Sequence, residues 1–195
     1  GPHNGAKWLA QEHRDLIDAE YALNEGGGGA IKNGRYISNA VQASEKIYQT
    51  FILEFTNSGG HSSLPVKDNS IYHLADALAK IRDYDFPVNL NDVTRLYFQR
   101  SAELEEGELK TAMLEVLKTP PDASAIAYLA NTPFYNSRLR TTCVATRLDA
   151  GHRDNALPQR ARATVNCRIL PTESVDEVEL TLQTLIGDDQ LGISR

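Results

Sequence analysis

The order in which apolar periodicity changes along residues 47–195 constrains this chain more than any other feature. In IYQTFILEFT (47–56), Ile47, Phe51, Leu53 and Phe55 mostly alternate with polar positions, the two-residue period of a half-buried strand. From Ser70 the period lengthens. Ile71, Leu74, Ala75, Leu78 and Ile81 form one helical stripe, and Asp68 and Asn69 offer caps for it. Residues 141–149 and 161–170 return to strand patterns. Ser174 and Glu177 then make a capping box for a helix whose Val175, Val178, Leu182, Leu185 and Ile186 face inward. A last strand begins within Leu191–Arg195. Strand, helix, strand, strand, helix, strand is the split βαβ order. It predicts an α+β fold, a ferredoxin-like two-layer sandwich with a four-stranded antiparallel sheet and two helices on one face. The uncovered face and the sheet edges are places for a partner.

Two stretches fall outside this unit. Residues 86–140 interrupt it with candidate helices near 91–104, 107–118 and 122–130, punctuated by Gly107, Pro120-Pro121 and Pro133, and read as a helical insertion. Residues 1–46 predict a helix over 5–17, a short strand through Ala19, Tyr21 and Leu23, and four glycines, Gly26 to Gly29. An Asn33-Gly34 turn suited to a type I′ hairpin and a strand from Tyr36 to Ala43 follow. The expected division is therefore 1–46, a fragment of another domain, and 47–195, the sandwich with its insertion.

Net charge removes some functions. Lys plus Arg is 20 against 26 Asp plus Glu, a net charge of −6, which argues against nucleic acid or an anionic membrane as the main partner. Two cysteines, Cys143 and Cys167, are too few for a disulfide framework or a zinc knuckle. They read first as small buried hydrophobes. If their strands form a hairpin centred near Asn155, they are also equidistant from its turn and can face each other.

Three features carry possible chemistry. Glu25 ends a strand ahead of glycine-rich backbone, which suits a metal ligand and equally a surface carboxylate. His61 sits in GGHSS, where glycines expose an imidazole able to donate to a developing oxyanion; a loop histidine without duty is the plain alternative. The other histidines show no metal-binding spacing, and His13 and His73 read as solvated helix positions. Between Arg138 and Arg168 lie seven arginines and two acids, Asp149 and Asp154, a local reversal of charge in an acidic chain. Such a hairpin suits an anionic ligand through bidentate guanidinium contacts, or else is a sheet face paired with acids elsewhere.

NEGGGG, NSGGHSSLP and NALPQRARATVNCRILP occur here in an order and spacing that resemble the zinc-dependent exopeptidases of the aminoacylase, carboxypeptidase G, acetylornithine deacetylase and succinyl-diaminopimelate desuccinylase group. The likeness covers nearly the whole chain, with 86–140 as its variable part. It implies a lid, or dimerisation, domain joined to a strip of an α/β catalytic domain. Glu25 matches an acidic ligand to one of two zinc ions. His61 matches the lid histidine that reaches into the partner's active site in a homodimer. Asn155 matches a substrate-contacting asparagine. Arg168, thirteen residues on, matches the arginine that grips the substrate carboxylate. The family's remaining ligands are expected to lie outside this chain, and the only Glu-Glu pair, Glu105-Glu106, lies in the insertion. The implied enzyme hydrolyses a dipeptide or N-acyl amino acid, while this chain by itself is expected to be inactive and to hold no zinc tightly. A stand-alone ferredoxin-like interaction or small-molecule-binding module, and a different enzyme using His61 with an acid, are the competing readings.

Overall fold

A computed structural model describes residues 5–21 and 28–195. The chain divides into two compact units, Gly1–Gln42 and Ala43–Arg195.

In the first unit the expected helix is two: α1 (Gly5–Glu12) and α2 (Arg14–Ile17), interrupted at His13, with no residue of either buried. The described part of the expected strand around Ala19 and Tyr21 is not β; its remainder, and Glu25 with it, lies outside the described residues. β1 (Gly28–Lys32) and β2 (Arg35–Ala40) form an antiparallel hairpin. Asn33 (φ 52°) and Gly34 (φ 75°) turn it, both in the left-handed region that a type I′ turn demands.

The second unit holds the sandwich. β3 (Ile47–Thr56), β5 (Thr142–Ala150), β7 (Arg160–Ile169) and β8 (Gly192–Ser194) form an antiparallel sheet in the order β5–β7–β3–β8. Helices α3 (Ser70–Asp83) and α8 (Val175–Ile186) pack together on one face. Alternation decides the faces. Ala161, Ala163, Val165, Cys167 and Ile169 of β7 are buried beneath the helices with Phe51, Leu53 and Phe55 of β3. Residues between them on β7, from Arg160 to Arg168, line the uncovered face. Each large side chain so enclosed contributes about 1.5–3 kcal/mol.

The helical stripe needs one correction. α3 buries Ser70, Leu74, Ala77 and Ile81, whereas Ile71 and Ala75 are exposed. Asn69 caps it by accepting from the Ile71 N–H at 2.9 Å. The Ser174–Glu177 capping box forms in full, and Gly187 (φ 56°) ends α8 in the left-handed conformation. Cys143 and Cys167 stand directly opposite in the β5–β7 ladder and are joined by a disulfide.

Residues 86–140 build a second cluster. α4 (Asp92–Ala102), α5 (Gly107–Glu115), α6 (Ala123–Ala130) and α7 (Pro133–Leu139) enclose Phe98, Met113, Val116, Leu129 and Leu139. α7 is absent from the sequence reading, where Pro133 counts as a breaker. Proline at the first helical turn has no N–H to waste and starts the helix instead.

Candidate functional site

Two very short strands, β4 (Gly60–His61) and β6 (Ala156–Leu157), join places 95 residues apart in sequence: His61 pairs with Ala156 and Gly60 with Leu157. One step along, the Ser62 N–H donates to the Asn155 carbonyl at 3.1 Å, so His61 and Asn155 share one small platform. The two glycines make the approach possible. Gly59 and Gly60 have φ of 74° and 149°, and a Cβ on Gly59 would stand 2.7 Å from Gln159 Cγ. Both His61 and Asn155 are exposed.

A neighbour fixes the state of the His61 ring. The Ser63 N–H, which can only donate, points to His61 Nδ1 at 3.2 Å, and Ser63 Oγ lies 2.8 Å from the same nitrogen. Nδ1 is therefore the acceptor, and the neutral ring carries its proton on Nε2 as a donor.

The loop bearing His61 is tied down at its far end. Asn57 Nδ2 donates to the carboxylate and the carbonyl of Asp68 at 3.2 and 3.1 Å. His73, on α3, places Nε2 3.0 Å from Asp68 and Nδ1 2.6 Å from Asp188, with its ring stacked on Phe55. Facing a carboxylate at each nitrogen, the ring must donate twice. Its pKa is raised, first by the hydrogen bond to Asp188, against an opposing effect of burial, with the Asp68 hydrogen bond and the charges of both carboxylates adding to the rise. His73 is thus a clamp rather than the solvated helix position expected. Its partner Asp188 is 115 residues away, and no local pattern announces it.

Arg168 stands elsewhere. It shares a rung with Tyr48 of β3 and Thr142 of β5 on the uncovered sheet face, and its guanidinium lies 4.6 Å from the Tyr48 ring centre. Three other arginines of the charge-reversed stretch have acids: Arg140 with Asp85 at 3.1 Å, Arg160 with Asp149 at 3.6 Å, Arg162 with Glu54 at 2.8 Å. The charged-face reading holds for these. Among the described residues Arg168 has no ion pair. At about 3.3 Å per residue, β7 carries Arg168 roughly 26 Å beyond Arg160, the end of the strand nearest the His61–Asn155 platform.

Among the described residues no group of three or more His, Cys, Asp or Glu side chains is placed to hold a metal ion. These residues alone do not fit a metal centre. A cavity of about 410 Å³ lined by Leu78, Ile81, Phe86, Cys143 and Leu182 opens on the helix side of the sheet, and neither His61 nor Arg168 lines it.

Comparison with known proteins covers most of the chain. Residues 44–193 match the model of the peptidase dimerisation domain, M20_dimer. The mouse N-fatty-acyl-amino acid synthase/hydrolase PM20D1 is 29% identical over 155 residues, which is 77% of this chain and 30% of that protein. The probable carboxypeptidase S-like 2 of Dictyostelium discoideum is 29% identical over 143 residues, covering 73% of this chain and 27% of its own length. The chain thus spans about a third of the curated relatives it matches. A solved M20 family metallo-carboxypeptidase, Sso-CP2 from Sulfolobus solfataricus, aligns over 76% of this chain and 43% of its own, at 18% identity and a TM-score of 0.42.

Proposed function

The chain belongs to the family of peptidase dimerisation domains, M20_dimer, and from that premise we propose that it is the lid of a hydrolase that cleaves an amide in a small carboxylate-bearing substrate, a dipeptide or an N-acyl amino acid. In this reading residues 1–46 belong to the catalytic domain and 47–195 to the lid, with the insertion at 86–140. Relatives whose names include a fatty-acyl-amino acid hydrolase and a carboxypeptidase S-like protein support the substrate class. The two zinc ions implied by the resemblance are assigned to the remainder of the polypeptide, with Glu25 as this chain's only contribution. This chain alone would then neither hold zinc tightly nor turn over substrate.

The observation that carries the reading is the separation of Arg168 from His61 and Asn155. All three are exposed and suited to one substrate, yet roughly 26 Å of strand lies between them. An amide of a few ångströms cannot touch both ends of one lid. In a twofold dimer the two ends come from different copies: Arg168 of one lid holds the substrate carboxylate, while His61 and Asn155 of the partner close over the amide. His61 then donates from Nε2 to the carbonyl oxygen as negative charge gathers on it. Asn155 offers a neutral amide to the same region, and Tyr48 keeps the Arg168 plane fixed for a bidentate contact.

The test is kinetic, in the complete polypeptide with N-acetylated amino acids as substrates. His61→Ala is expected to lower kcat about a hundredfold with little change in KM, as for loss of one oxyanion donor. Arg168→Ala is expected to act mainly on KM. A His61→Ala enzyme with undiminished kcat would refute the role given to the lid.

A further inference from the structure

We propose that Ser63 is a positioning residue for His61: its hydroxyl and its backbone N–H, both directed at Nδ1, hold the imidazole in the one orientation that presents the Nε2–H to a substrate oxygen. The inference rests on the oxyanion role given to His61 above.

The turn that follows His61 gives each backbone N–H a different task. Leu64 donates to the His61 carbonyl at 3.0 Å, which closes a β-turn over residues 61–64. Ser62, the second residue of that turn, donates across the platform to the Asn155 carbonyl at 3.1 Å. Ser63 is the third residue. The turn's own hydrogen bond leaves its N–H without a main-chain acceptor, and this N–H meets His61 Nδ1 at 3.2 Å instead. The Ser63 hydroxyl reaches the same nitrogen at 2.8 Å. The pairing of His61 with Ala156 anchors the start of the turn, so the ring is tied to the backbone that also carries Asn155.

An exposed histidine has a broad, roughly twofold freedom about χ2. Half a turn about that bond exchanges Nδ1 with Cδ2 and Nε2 with Cε1. In the wrong orientation a carbon faces the Ser63 donors and another carbon stands where the oxyanion donor belongs. Ser63 selects between the two, and by donating to Nδ1 it also keeps the proton on Nε2. Among the described residues the His61 ring has no other hydrogen bond and packs on no other ring. His73 is the contrast. It is held at both nitrogens and stacked on Phe55, so it has no donor left to offer. Held at one nitrogen only, His61 keeps the other as a donor aimed in advance, which costs no reorganisation when charge develops on the substrate.

The experiment has a spectroscopic and a kinetic arm. In the full chain, labelled with nitrogen-15 at histidine and held in mildly alkaline buffer, the His61 resonances are identified by their loss in His61→Ala. The native ring is expected to show Nε2 protonated and Nδ1 as acceptor. Ser63→Ala is expected to show the Nδ1–H form beside it, and Ser63→Thr, which keeps the hydroxyl, to match the native ring. In the complete polypeptide, Ser63→Ala is expected to lower kcat about fivefold, the worth of one hydrogen bond, with KM little changed and Ser63→Thr near native. In a His61→Ala background Ser63→Ala is expected to cost nothing further, because it acts through the ring. An equal loss in both backgrounds, or a native ring and native kcat in Ser63→Ala, overturns the positioning role. A His61→Ala enzyme of undiminished kcat overturns the oxyanion role, and the purpose of the orientation with it, even where the labelled chain shows Ser63 holding the ring.

Discussion

His73 shows how one side chain can hold the loop that carries His61 from outside it. Its two carboxylates come from the loop that carries His61 (Asp68) and from the chain after α8 (Asp188), and Lys80 adds its charge beside Asp188. Because the folded pKa of His73 is raised, the clamp contributes its full stability below the unfolded value of about 6.5 and loses it as pH rises through the folded value. Asp188 is held below the usual carboxylate range, first by the Gln190 N–H, so it stays ionised across that window. In urea unfolding, the advantage of the native chain over His73→Gln is therefore expected to be largest in mildly acidic buffer and to shrink toward alkaline pH. A gap that is constant or grows with pH would contradict the clamp. The exposure of His61 could be read from the glycines and serines around it. The pairing of His73 could not, because hydrogen bonds across 115 residues leave no trace in local spacing.

At the scale of elements, β5 is the free edge next to α3, which lies across β3, β7 and β5. Cys143 and Cys167 have Cα atoms 4.1 Å apart, close to the spacing of a non-hydrogen-bonded antiparallel pair. The N–H of Cys143, and that of Ala145 two residues on, therefore points away from β7 toward the open edge. If two lids join edge to edge along β5, Ala145→Pro removes an outward donor without touching the β7 ladder. Sedimentation is expected to show a dimer for the native chain and a monomer for Ala145→Pro; a dimer of equal strength in both would exclude this edge. The disulfide staples this strand in place, which in the chain-closure model contributes about 3 kcal/mol. Here the strands and capping box could be read from period and spacing, since they depend on near neighbours. The α3 stripe shifted to Ala77 because two packing partners, α8 and the sheet, and not periodicity alone, choose which face is buried. The α7 helix escaped because Pro133 stops one helix and starts another by the same property. Glu25 and the first two glycines, Gly26 and Gly27, lie outside the described residues, whereas Gly28 and Gly29 open β1.

For the molecule as a whole, the proposed active site is assembled from two copies, each lid giving Arg168 to one cleft and His61 with Asn155 to the other. The direct measurement mixes two variants of the complete polypeptide, His61→Ala and Arg168→Ala, at a substrate concentration far below the raised KM of the latter, where each alone is expected to be nearly inactive. After subunit exchange, half of the dimers are mixed, and one of the two clefts in each regains both native groups, so activity is expected to return to roughly a quarter of the native level. If the mixture stays as inactive as its components after exchange has been verified, His61 and Arg168 serve the same cleft from the same copy, and the lid does not work as argued.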